Sequence, residues 1–380
     1  MSQDTDGTAN PKTSWPIFTG KQPPNPNALN NLPAPPSWRQ SDRREQERGA
    51  TFQPEDNEIE LVNAALYLRR PLLVTGKPGV GKTSLAYAIA RELVLGEVLY
   101  WPITTRTTLK DGLYLYDAIA RLQDASDKSG DDAKHFENIG KYIRLGPLGT
   151  ALLPSDKPRI LIVDEIDKSD IDLPNDLLYV FEEGEFEIPE LVRIEDIKDK
   201  VTVRTAYKDE REFTYNKQDD IEDADIEKHP DVIVNGKTCI EKGKVRSTQF
   251  PLLILTSNGE RDFPPPFLRR CVRLTMQEPD EKRLTQIVEA HLRQEENGEA
   301  LIANAKDDIA KLVERFIAKR GDTSKGDLAT DQLLNAIYLI TRDRKPNYST
   351  DVNSTGDLID RLWKHLSSSE DQQSDSPRRS

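Results

Sequence analysis

The sequence predicts an α/β protein: a parallel sheet with helices on both faces, giving three αβα layers, followed by a C-terminal all-helical lid domain. Three observations carry this. LLV at Leu72–Val74, ILIVDEID at Ile160–Asp167 and PLLILTSN at Pro251–Asn258 are short apolar runs without alternation, as parallel strands covered on both faces require. Helical periodicity follows the first run directly, with Leu85, Ile89 and Leu93 four residues apart. After Pro279 strands give way to three helical patterns, so the boundary falls near Met276.

Composition narrows the setting. The chain has 380 residues and a formal net charge of −13, the opposite of the basic balance usual in a free-standing nucleic-acid binder. Hydrophobic residues make up 36%, which leaves room for solvated segments around a core. Two cysteines, Cys239 and Cys271, imply no disulfide framework and fit a reducing compartment. His135, His229, His291 and His365 lack metal-ligand spacing and read as structural or surface residues. Without an apolar run long enough to span a bilayer or a signal-peptide core, the expectation is a soluble cytoplasmic protein.

Along the chain, residues 1 to about 50 are polar and proline-rich, as in KQPPNPNALNNLPAPPSW, and are expected to be a disordered arm. Trp15, Trp38 and the prolines are its candidate anchors for a partner groove. From Pro54 a helix pattern puts Ile59, Val62 and Leu66 on one face. The first strand, a glycine turn and a helix follow, then a further strand at Val98–Ile103. One insertion runs from about Thr107 to Leu145. A second, from about Glu190 to Gln249, reads as a β-excursion with an acidic centre at Lys208–Pro230, and Asn235-Gly236 signals a type I′ hairpin within it. The lid helices carry Leu284/Ile287/Val288/Leu292, Ile309/Leu312/Val313/Phe316/Ile317 and Leu333/Leu334/Ile337/Tyr338, with Asn297-Gly298 between the first two. The expected domains are the arm (1–50), the αβα domain (51–275), the lid (276–366) and a disordered tail (367–380).

The strand–glycine turn–helix order aims backbone N–H groups and a helix N-terminus at one anion. Gly76-x-x-x-x-Gly81-Lys82-Thr83 places Lys82 to reach the β- and γ-phosphates and Thr83 to bind Mg²⁺. Asp164 and Glu165 end the second buried strand, where ligands sit in an open parallel sheet. Asp164 is expected in the magnesium shell and Glu165 beside the attacking water. Asn258 ends the third strand behind Thr256 and Ser257, and its amide both donates and accepts. In FPPPFLRRC, three prolines stiffen the mount of Arg269 and Arg270, whose guanidinia fork onto phosphate oxygens.

This order of cradle, Asp-Glu strand, Asn-ended strand, paired arginines and helical lid resembles the AAA+ P-loop ATPases. YLYDAIARL, LGPL and DEIDKSDIDLPNDLLYVFEEGEFEIPEL look like the MoxR-type branch, which carries an insertion in its second helix and a β-hairpin insertion before the Asn strand. The resemblance covers roughly Phe52 to Ile340. It implies ATP and Mg²⁺ as cofactors. Gly76, Lys77, Pro78, Gly79, Val80, Gly81, Lys82, Thr83 and Ser84 match the Walker A segment, Asp164 and Glu165 Walker B, and Asn258 sensor 1. Arg270, before Cys271, matches the arginine finger, with Arg269 assisting. One departure stands out. Where relatives carry a sensor 2 arginine, the segment reads KGDLATDQLLNAI with Asp331 at the nearest position, and Lys325 in the preceding turn is the substitute.

The resemblance therefore implies ATP hydrolysis in a homo-oligomer, a hexameric ring, because an arginine supplied in trans speeds hydrolysis by about 10³–10⁵. It also implies a protein client, with a von Willebrand A-type partner, gripped by the two insertions. No membrane partner is expected. Two alternatives share the cradle. A DNA-associated motor or clamp-loader-like ATPase requires steeply salt-dependent stimulation by DNA, which the acidic balance disfavours. A nucleotide switch that rarely hydrolyses is disfavoured by the intact Asp164-Glu165 pair.

Overall fold

The computed structural model describes residues 15–18, 20, 25–39, 44–126, 139–207, 233–321, 328–342, 345–346, 348–351 and 357–363. Two compact units emerge. The sheet unit comprises Pro54–Gly76 and Gly81–Met276; the helical unit comprises the N-terminal segment to Gln53, Lys77–Val80 and the chain from Gln277.

Among the described residues the strands are β1 (Leu72–Thr75), β2 (Leu99–Pro102), β3 (Tyr114–Tyr116), β4 (Ile143–Leu145), β5 (Ile160–Asp164), β6 (Glu185–Glu187), β7 (Lys200–Arg204), β8 (Lys237–Glu241), β9 (Lys244–Arg246), β10 (Leu252–Ser257) and β11 (Val272–Thr275). Five of them form a parallel sheet in the order β11-β1-β10-β5-β2. Every residue of β10 is buried, which explains its unbroken apolar run. The register aligns the strands' C-terminal ends: Thr75 lies beside Ser257 and Thr275, and Pro102 beside Asp164. Polar side chains therefore collect along one edge of an otherwise apolar sheet.

The other six strands form a second sheet, β3-β4-β7-β8-β9-β6. It takes β3 and β4 from the first insertion and β7, β8 and β9 from the second, joined by a parallel pairing at Arg144 and Arg204. The two insertions thus share one sheet, and Trp101, Tyr114, Leu148, Phe186 and Val201 belong to one buried cluster. Asn235 (φ 49°) and Gly236 (φ 69°) are left-handed, as a type I′ turn needs, but β8 leaves that turn to pair along its length with β7. Lys242-Gly243, also left-handed at 52° and 68°, turns β8 into β9. A side chain at Gly243 would place its Cβ 2.5 Å from the Val192 amide nitrogen. The acidic centre at Lys208–Pro230 lies outside the described residues.

Two expectations need correction. The helix from Pro54 forms at Asp56–Leu68, but its buried face is Glu58, Val62 and Ala65, and Ile59 is 46% exposed. Glu58 is 2% exposed, and its carboxylate accepts the Glu55 amide hydrogen at 2.9 Å, closing a capping box at the start of the helix. The proline-rich arm is not unstructured throughout. Ala28–Asn31 and Ser37–Arg39 are short 3₁₀ turns, and Arg44–Thr51 is a helix. Trp38 packs edge-on against His291 and Tyr338, with ring centroids 5.7 and 5.8 Å apart. The Ser37 amide donates to Glu295 at 2.8 Å, and the Tyr338 hydroxyl donates to the Ala34 carbonyl. Trp38 anchors the arm to its own chain, since prolines stiffen the segment beforehand and lower the entropy lost on docking.

Three longer helices, Glu281–Leu292, Gly298–Arg320 and Thr330–Ile340, and the short Leu358–Leu362 build the helical unit. Leu284, Val288, Leu312, Phe316, Leu333, Ile337 and Trp363 fill its core. Arg315 is buried within it, paired with Asp357 at 3.0 Å. Residues 367–380 lie outside the description. No helix among the described residues is long and apolar enough to cross a membrane.

Candidate functional site

Lys82 opens the helix Lys82–Glu92, directly after Gly81, whose φ of 99° only glycine adopts freely. The side chain is 8% exposed. Its Nζ donates to the Gly76 carbonyl and to Asn258 Oδ1, each at 2.7 Å. The Asn258 amide nitrogen in turn faces Glu165 Oε1 at 3.4 Å. Three segments far apart in sequence thus meet at one amide. Burial pushes the Lys82 ammonium below its ordinary pKa, while the carboxylates of Asp167, Asp164 and Glu165 push back.

Asp164 is held by three hydroxyls. Thr256 donates to Oδ1 at 2.6 Å and Thr83 at 3.3 Å, and Tyr100 donates to Oδ2 at 2.5 Å. Thr256 also accepts the Glu165 amide hydrogen at 2.9 Å, so one buried hydroxyl ties both acids to β10. Burial, then the bond to Asp164, raises the Tyr100 hydroxyl's pKa and keeps it a donor. Glu165 sits in the left-handed region (φ 59°, ψ 49°), which swings its side chain out of the strand. Lys168 Nζ lies 2.7 Å from Glu165 Oε2, and that bond raises the Lys168 ammonium's pKa. Asp167, 4% exposed, accepts the amide hydrogens of Asn258 and Glu260 at 2.9 and 3.1 Å. Its other oxygen is buried with no partner among the described residues.

The donor set fits magnesium. Among the described residues no group of three or more His, Cys, Asp or Glu side chains could hold a metal by itself. Thr83 and Asp164 offer two hard oxygens, which suits an ion that keeps its waters and shares substrate phosphates.

The remaining expected residues fall as follows. Lys77 is exposed and 3.4 Å from Glu278. Pro78 and Gly79 are exposed, and Val80 and Ser84 half-buried. A Cβ at Gly79 would stand 2.6 Å from that of Ala329, so the tip of the loop tolerates no larger residue. Arg270 donates from Nε to Glu182 at 2.7 Å and from Nη1 to the Pro266 carbonyl at 3.1 Å. Its contacts run there rather than to the residues around Lys82. Arg269 is exposed, and its carbonyl accepts from Arg70. Asp331 is exposed in the first turn of its helix. Lys325 lies outside the described residues. Sequence reasoning passed over Tyr100, Asp167 and Lys168. The last two stand inside the DEIDK run, where their proximity to Glu165 was already visible.

Residues 71–220 match the family model described as the AAA domain, dynein-related subfamily, which is 150 of the 380 residues. With the strand order above, the chain has an α/β fold with a helical C-terminal region, and residues 71–220 of it are similar to an AAA domain. No curated protein matches the sequence. Similar solved structures include Hsp104 in a closed state with ATPγS and FITC casein, at 15% identity and a TM-score of 0.35 over 75% of this chain and 47% of that one. They also include the S. cerevisiae Hsp104–ADP complex, at 14% identity and a TM-score of 0.34 over 70% and 42%. The chain spans less than half the length of either.

Proposed function

We propose that the protein is a Mg²⁺-dependent ATPase that works as an assembly of its own copies and uses hydrolysis to remodel a protein client, in the manner of MoxR-type AAA+ proteins. The observation that carries this is the link from Lys82 through Asn258 to Glu165, with Thr83 and Asp164 alongside. Bound Mg²⁺-ATP would supply the scissile phosphoanhydride and the cation that neutralises its oxygens. The chain's own residues do the positioning. Lys82 exchanges its carbonyl and amide partners for phosphate oxygens. Thr83 and Asp164 would hold the metal. Glu165 and Asn258 would aim a water at the γ-phosphorus, Glu165 would take its proton, and the bond to the β,γ-bridging oxygen would break to release ADP and phosphate.

Arg270 completes the site in trans. Its pair with Glu182 leaves the two side chains 31% and 52% exposed, so releasing it costs at most about 1 kcal/mol. A finger contributes about 10³–10⁵ in rate, so the exchange favours the neighbour's nucleotide. The joined insertions support the MoxR-type reading. Leu115, Ile119 and Leu122 in the first insertion are 54%, 70% and 68% exposed. Apolar side chains of that kind support a protein client, with a von Willebrand A-type protein as a candidate partner and a hexameric ring as the assembly.

The test is ATP turnover per chain as a function of protein concentration, with Mg²⁺ present. We expect it to rise to a plateau as copies assemble. Constant turnover per chain at every dilution would sink the shared site. Glu165→Gln with ATP should retain a client in pull-downs, and a trap that enriches nothing counts against remodelling.

A further inference from the structure

We infer that Lys168 is a positioning residue for hydrolysis: its ammonium anchors one oxygen of Glu165 so that the other faces the Asn258 amide. The inference rests on the ATPase reading above and adds to it a residue that reading does not use.

Glu165 needs an anchor. Its side chain is 39% exposed, and a half-exposed glutamate samples several rotamers unless something holds it. The Asn258 amide, 3.4 Å away, is too long a contact to fix it alone. The short contact is Lys168 at 2.7 Å. The geometry is local and stiff, because Glu165 caps the 3₁₀ turn Ile166–Lys168 and the Lys168 amide donates back to the Glu165 carbonyl at 2.9 Å. Lys168 therefore arrives at the carboxylate through one turn of backbone.

The neighbouring residue serves the other half of the pair. Asp167 accepts the Asn258 and Glu260 amide hydrogens and so fixes the backbone that carries the Asn258 side chain. Consecutive residues of one turn thus set both sides of the position where an attacking water would sit. The two differ in a way that makes Lys168 the one to test. Asp167 is buried, whereas Lys168 is 41% exposed, and an ion pair so exposed contributes little to folding. A displaced base, by contrast, is expensive, since a misplacement of about 1 Å costs on the order of 100-fold in rate.

The opposite role for the same contact is a brake, with Lys168 holding Glu165 away from water. The experiment separates the two. Steady-state ATP hydrolysis is measured with Mg²⁺ at a concentration where turnover per chain has reached its plateau, for wild type, Lys168→Met and Lys168→Arg, and affinity is followed with a fluorescent ATP analogue. Lys168→Met should lower kcat by about 10–100-fold while KM and analogue affinity stay within about twofold, the pattern of an interaction used only in the transition state. Lys168→Arg should recover most of kcat, because a guanidinium still anchors the carboxylate. A Lys168→Met enzyme that matches or exceeds wild type overturns the inference, as does one that loses nucleotide affinity or an arginine variant that rescues nothing. A wild type that hydrolyses no ATP at any concentration overturns the ATPase reading and this inference with it; a hydrolysing wild type confines any failure to Lys168.

Discussion

Two carboxylates, the half-buried Asp357 and the buried Asp167, show how differently the two units use charge. In the helical unit, Asp357 has both oxygens occupied twice. Oδ2 takes Arg315 Nη1 at 3.0 Å and the Ser349 amide at 3.1 Å, and Oδ1 takes Arg315 Nη2 at 3.2 Å and the Asp360 amide at 2.7 Å. Burial pushes this carboxyl up, but the bonds from Arg315, Asp360 and Ser349 outweigh it and hold it below the usual carboxylate range. In the sheet unit, Asp167 has one oxygen occupied by two amides and the other buried, without a partner among the described residues. Asp164 and Glu165 crowd the same ammonium. One network is complete within the chain; the other carries surplus negative charge and a bare acceptor, which costs about 1–3 kcal/mol. The incomplete network is the one to which the proposed function brings a cation and a ligand.

The sharpest way to break that contrast is to remove a group that belongs to neither network at rest. Arg270→Ala should lower turnover of the assembled protein by about 10³–10⁵, roughly 4–7 kcal/mol of barrier, with little change in unfolding because its pair with Glu182 is exposed. Mixing Arg270→Ala with Lys82→Ala chains should recover part of the activity, since each supplies what the other lacks across an interface. Unchanged turnover in Arg270→Ala would reduce the Glu182 contact to a structural detail. In the helical unit, Arg315→Met leaves Asp357 without its guanidinium and should cost about 3–5 kcal/mol in denaturant unfolding, with nucleotide affinity kept. The double variant Arg315→Met/Asp357→Leu should regain much of that loss. A single variant as stable as wild type would show the closed network to be dispensable.

Much of this was legible because the decisive signals are local. β1, β5 and β10 announced themselves as unbroken apolar runs, since strands buried on both faces have no polar side to alternate with. The residues from Gly76 to Thr83 and the Asp164-Glu165 pair read as motifs, and the structure brings Lys82 to Asn258 and Thr83 to Asp164. What escaped depends on distance. Trp38 meets His291 and Tyr338 only once the chain has folded back, and composition alone made its segment look solvated. The shared second sheet depends on one pairing, Arg144 with Arg204, that no local pattern encodes. Tyr100 alternates outward on an edge strand, where its hydroxyl meets Asp164 from a neighbouring strand. Ile59 was misassigned because hydrophobic periodicity favours an apolar residue over Glu58, whose carboxylate is instead held by the Glu55 amide in a capping box on the buried face.

A smaller change sharpens the open network from within. Thr256 is 1% exposed, donates to Asp164 and accepts from the Glu165 amide. Thr256→Val keeps the shape and removes both bonds, so it should cost about 1–3 kcal/mol of stability. The Mg²⁺ concentration for half-maximal turnover should rise, because Asp164 loses its shortest bond from β10. A valine variant with unchanged magnesium dependence would show that Tyr100 and Thr83 orient Asp164 unaided.

The smallest effect is a pH dependence in the helical unit. Burial lowers the His291 pKa below its ordinary value of 6.5, with the Ile287 carbonyl and Glu295 opposing. The neutral ring suits its surroundings: Nδ1 donates to the Ile287 carbonyl at 2.8 Å, which leaves Nε2 to accept from the Thr51 hydroxyl at 3.3 Å. As pH falls below 6.5 the unfolded chain takes up a proton that the folded chain still refuses. Stability therefore falls through the window between 6.5 and the folded value, and the loss is complete below it. Protonated Nε2 can no longer accept from Thr51, so the helix that ends the arm should loosen with it. Denaturant midpoints measured from about pH 7.5 to about pH 5 should decline in wild type and flatten in His291→Gln. Trp38, edge-on to the same ring, supplies a local readout once its fluorescence is isolated by subtracting a Trp38→Phe variant. An identical slope in His291→Gln would detach the arm's docking from this proton and leave the packing of Trp38 on Tyr338 as its principal hold.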